Sequence, residues 1–83
     1  ATFEQNVELL ARHALRVILA FALLERRQLL RADLPDFLAS LSFCQSVNAR
    51  YLNHSNEVLA QWLVRDLIRV GTLKDVGGML LAV

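Results

Sequence analysis

The side chains with reactive chemistry are few, and their spacing decides how much they can do. Cys44 is the single cysteine of the chain, and His13 and His54 are its two histidines. A thiol nucleophile needs a histidine held against it, yet no local pattern ties either histidine to Cys44. A cysteine beside Phe43 is expected to behave as a small core hydrophobe. Two histidines and one cysteine at unrelated spacings match no metal-ligand set, so no metal is expected. Asp33 and Asp36 have the form of a carboxylate pair for acid–base work. Helix capping and the helix dipole account for both without a substrate. Gly77-Gly78 lacks the flanking pattern and following helix of a phosphate loop, so no cofactor is expected. The residues point away from an enzyme.

The basic side chains are the next candidates for binding. Eight of the nine are Arg, with Lys74 the exception, and Arg suits interfaces because its planar fork pairs bidentately. Arg26, Arg27 and Arg31 cluster where a helix should end, either as a solvated terminus favoured by the dipole or as a docking patch for an acidic partner, a phosphate backbone or anionic lipid headgroups. Glu8 and Arg12 stand four apart and should partly neutralise one another. The net charge of +1 provides no long-range field for a polyanion.

The elements that carry these residues follow from the apolar pattern. Hydrophobic residues make up 55% of the 83 residues and charged ones 20%, against about 45–50% and about 25% in ordinary soluble domains. Mean hydropathy is +0.39. A domain this small with that excess is expected to cover apolar surface with another chain or domain, or to touch a membrane. The lone cysteine favours a reducing, intracellular address, which also discounts the glycosylation triplet Asn53-His54-Ser55. A start at Ala1 and an apolar end at Leu80 to Val83 are expected of one small domain, residues 1–83, cut from a longer chain.

Thr2 with Gln5 fits a capping box. Phe3, Val7, Leu10, Ala14, Val17, Phe21 and Leu24 then recur at spacings of four and three, which places them on one stripe of a helix. That stripe is read as the helix's buried face. Polar residues fill the other faces up to His13, and from Ala14 to Leu24 only Arg16 interrupts the apolar run. This helix is therefore expected to end surrounded by apolar contacts. Arg16 and Glu25 bracket too few apolar residues to cross a bilayer, and no signal peptide is evident. The helix is expected to supply a contact through its amphipathic half or through the surplus near Ala14 to Leu24, with Val17, Ile18, Phe21, Ala22, Arg26 and Arg27 as the candidate surface for a protein partner or a second copy of the chain.

Asp33 is expected to cap a second helix, with Pro35 in its first turn and Leu34, Phe37, Leu38 and Leu41 facing inward. That helix should weaken between Cys44 and Asn48, and residues 48–56 read as a loop. Asn53 or Ser55 caps a third helix, with Leu59, Trp62, Leu63, Leu67 and Val70 inward and Glu57, Gln61, Arg65 and Arg69 solvated. Gly71 closes it, and Gly77-Gly78 between two short apolar runs signals a two-residue hairpin.

The class is mainly α: a three-helix core with a short C-terminal β-hairpin. The helix over 58–70, Gly71 after it and the hairpin turning at Gly77-Gly78 resemble a winged-helix domain. That resemblance implies either protein docking or DNA reading by the third helix, for which Gln61, Arg65, Arg69 and Lys74 would be the contacts. Glu57 and Asp66 oppose such a reader, and Asp75 beside Lys74 is expected to cancel it. An all-α fragment of a helical repeat is the alternative architecture. A non-catalytic docking or oligomerisation module is the function the sequence supports best.

Overall fold

A computed structural model describes residues 2–83, so Ala1 lies outside the described residues. The chain runs α1 (Phe3–Arg26), β1 (Gln28–Leu30), a 3-10 turn (Arg31–Asp33), α2 (Leu34–Ser40), α3 (Ser42–Val47), a π turn (Asn48–Leu52), α4 (Asn56–Arg69), β2 (Leu73–Val76) and β3 (Met79–Ala82). The class is mainly α with a small antiparallel sheet. The longest dimension is 39 Å, close to the roughly 36 Å that 24 helical residues span.

The capping box at Thr2 forms as the sequence requires. The Thr2 hydroxyl accepts from the Gln5 amide at 3.1 Å, and the Gln5 side chain accepts from the Thr2 amide at 3.0 Å. At the other end Arg27 takes φ 80°, and its amide bonds to the Leu23 carbonyl at 2.7 Å. This abrupt stop turns the chain directly into β1. Three residues as short as Gln28-Leu29-Leu30 carry no strand signal of their own. β1 exists because β3 pairs with it, Leu29 opposite Leu80, while β2 pairs on the other edge of β3, Asp75 opposite Leu80. The hairpin thus supplies the central strand and one edge of a three-stranded sheet ordered β1-β3-β2. Gly77 and Gly78 turn it with φ of 58° and 86°, the paired positive values that a tight two-residue hairpin needs.

The core is leucine-rich and sits between α1, α4 and the sheet. Leu15 and Leu19 of α1, Leu34 and Leu38 of α2, Leu59 and Leu63 of α4 and Leu80 of β3 are all fully buried. Trp62 packs in the same cluster, with the Arg12 guanidinium 5.0 Å from its ring centroid. Arg16 reaches Asp66 at 3.4 Å, tying α1 to α4 a turn further along. The foreseen Glu8–Arg12 pair also forms, at 3.7 Å.

Several local expectations are corrected. Asp33 precedes α2 but its side chain makes no cap bond, because the 3-10 turn holds it at φ −89°, ψ −7°. The helix break falls at Leu41, where the backbone is extended, rather than between Cys44 and Asn48. Helical turns then persist to Leu52, so only residues 53–55 are irregular before α4. Val70 faces solvent instead of the core, since the chain turns away at Gly71. The remaining inward residues of α4 and its cap, Ser55 accepting from the Val58 amide, are as the pattern requires.

Asp75 does not neutralise its neighbour Lys74. Its carboxylate accepts from Arg31 at 2.8 Å and from the Gly78 amide at 2.9 Å, joining the 3-10 turn to the hairpin. The Arg31 hydrogen bond, and after it the Gly78 amide, hold the Asp75 carboxyl below its ordinary 3.8. A depressed native pKa stabilises the fold above the unfolded value, and that stability is lost as pH falls through the folded one. Acid titration of wild type and Asp75→Asn should therefore give stability curves that converge below about pH 4. Parallel curves across that range would contradict the linkage.

Candidate docking surface

Two apolar series run along α1, and the core takes the one that was not expected. Ala11, Leu15, Leu19 and Leu23 are buried. They advance by four residues each time and wind slowly around the helix to meet α4 and the sheet. The stripe from Phe3 to Leu24 faces the other way, roughly 150° from that series at 100° per residue. Phe3 is 81% exposed, Leu10 69% and Phe21 69%, with Val17 and Leu24 also exposed and Val7 and Ala14 half-buried. The expectation that this stripe is the buried face, and that the helix ends surrounded, is overturned.

The N-terminal half of the stripe forms one wall of a groove of about 410 Å³. Phe3, Val7, Leu10, Ala11 and Ala14 line it from α1, and Phe43, Val47 and Tyr51 line it from α3 and the π turn. Phe43 is 63% exposed. The groove exists because α3 and the π turn pack against the first half of α1 while their aromatic rings remain outside. Beyond Ala14 the stripe continues as an open ridge of Val17, Phe21 and Leu24.

The candidate partner residues distribute across several environments. Val17 and Phe21 lie on the open ridge. Ile18 packs against the core cluster, and Ala22 lines a separate hollow with Glu25, Arg26, Phe37 and Leu41. Arg26 places its guanidinium 5.4 Å from the Phe37 ring centroid. Arg27 is exposed at the helix end, and Arg31 is committed to Asp75. The groove residues Phe43 and Tyr51 escaped the sequence reading. Their only signal was an aromatic in a segment with no inward-facing apolar period.

On α4, Gln61, Arg65 and Arg69 are all exposed along one face, as is Lys74 on β2. Glu57 shares that face, and Arg65 lies 3.5 Å from Asp66. Asp66 itself is the partner of Arg16 rather than a free carboxylate.

Cys44 is fully buried, and burial pushes its thiol above the ordinary 9.0, which disfavours the nucleophilic thiolate. Among the described residues only the backbone of His54 enters a hydrogen bond, with Asn48. Among the described residues no group of three His, Cys, Asp or Glu side chains could hold a metal ion, and no helix is long and apolar enough to cross a membrane. Compared with protein-family models, curated proteins and solved structures, the chain matches none of them.

Proposed function

We propose that this chain is a non-catalytic interaction module that binds a protein helix along the outer face of α1. One observation carries the reading. Seven apolar residues at strict four-three spacing lie on the side of α1 opposite Leu15, Leu19 and Leu23, five of them exposed and Val7 and Ala14 half-buried. A repeat of 3.5 residues is what a helix needs to keep one seam against another helix wound around it. A core-facing stripe has no such requirement, and here the core uses a different series. With Phe43 and Tyr51, the stripe exposes on the order of 800 Å² at about 200 Å² per large apolar residue. That exceeds the 300–600 Å² typical of the largest apolar patch on a monomer.

The strand order around the hairpin, with a short strand between the first two helices, supports a winged-helix type of fold used for docking. DNA is the competing ligand, through Gln61, Arg65, Arg69 and Lys74. The near-neutral net charge and Glu57 on the same face favour protein.

The test is a pair of substitutions on the stripe, Leu10→Glu with Phe21→Glu. The variant should keep its helical circular dichroism and cooperative melting while losing both apolar-dye binding and association. Loss of the fold would mean the stripe is core, contrary to the proposal. Salt-dependent duplex binding that weakens tenfold or more on Arg65→Ala or Arg69→Ala would favour the DNA reading instead.

A further inference from the structure

Resting on that reading, we infer that the helix bound by α1 is α1 of a second copy, antiparallel, with Phe21 of each chain set into the groove of the other. The stripe contains both halves of such a contact. Phe21 is an exposed knob on the open ridge, and the groove beside Leu10 is an aromatic-walled hole. The two are separated by eleven residues, about 16 Å along the helix. Knob and hole on one face, displaced along one axis, are the pattern that a twofold operator closes, since each fills the other.

The direction follows from side-chain size. Antiparallel packing pairs the two kinds of seam position across the interface. It sets Val7 level with Leu24, Leu10 with Phe21 and Ala14 with Val17 of the second copy. Each large residue meets a smaller one, and the small central pair lets the helices approach closely. Parallel packing would stack Phe21 on Phe21 and Ala14 on Ala14, a bulge and a void two turns apart. Antiparallel dipoles are also opposed favourably, and Glu4 of one chain comes level with Arg27 of the other.

The area agrees. The stripe and groove rim offer each copy on the order of 800 Å², which is what one side of a standard stable interface buries. Polar Asn6 and His13 and the charged Glu4 and Glu25 flank the seam, as the rim of such a contact should be.

Sedimentation equilibrium on the full chain should give a dimer that Leu10→Glu or Phe21→Glu converts to monomer. Single-cysteine probes then fix the direction, because native Cys44 is fully buried. Mixed Val7→Cys and Leu24→Cys chains should cross-link to each other under mild oxidant, with little Val7→Cys homodimer. Preferential Val7→Cys homodimer would overturn the antiparallel assignment. A monomer at high micromolar concentration that still binds apolar dye would overturn self-pairing while leaving the surface free for another protein. A monomer with no dye binding would overturn both.

Discussion

Leu19→Ala should cost about 3–5 kcal/mol, the range for emptying a fully buried leucine site that cannot collapse. Leu19 has no exposed surface and belongs to the continuous cluster with Leu15, Leu23, Leu59 and Leu63. The cluster draws on α1, on α4 about forty residues away and on the sheet, so no single element can shift to fill the space. A chain of this size has about 5–10 kcal/mol in total, and the melting temperature should fall by about 15 °C or more. Leu10→Ala, on the same helix with its side chain in solvent, should stay within about 0.5 kcal/mol in dilute protein. Urea titration of the two variants checks the contrast. Equal losses would show that both faces of α1 are core, and the docking proposal would then have no free surface.

That contrast also marks the limit of what the sequence could reveal. Two apolar series share α1, and both satisfy a helical period. Nothing local says which one the rest of the chain will cover. The four-three stripe contains more residues and looks the stronger, yet α4 and the sheet settle on Ala11, Leu15, Leu19 and Leu23. The inward face of α4 was legible because that helix has only one apolar series, opposite Glu57, Gln61, Arg65 and Arg69. Gly77-Gly78 was legible because the turn demands positive φ at both positions. β1 was not, since its partner lies fifty residues away in β3 and its three residues have no signature alone. The sequence located the apolar surplus from Ala14 to Leu24 of α1, whereas the exposed stripe runs from Phe3 to Leu24, and the groove wall of Phe43 and Tyr51 required the packing of α3.

Asn48→Ala is the second large effect expected, about 2–3 kcal/mol, because the side chain closes the π turn from inside. Asn48 is buried. Its amide donates to the His54 carbonyl at 2.7 Å, and its side-chain oxygen accepts from the His54 amide at 3.0 Å. Alanine removes both bonds and strands two backbone groups, each worth about 1–3 kcal/mol when left unsatisfied. Asn48→Asp should rescue little, since a carboxylate keeps the acceptor but sets an oxygen against the His54 carbonyl. Asn53, at φ 62°, is held by the same turn, and α4 begins two residues after His54. Hydrogen exchange should accordingly rise first over residues 53–58. The turn also positions Tyr51 on the groove wall, so loosening it should weaken chain association as well as lower stability. An Asn48→Ala protein that exchanges faster over 53–58 yet associates as tightly as wild type would separate the two. The groove wall would then have no part in the contact, and the seam along α1 would have to suffice.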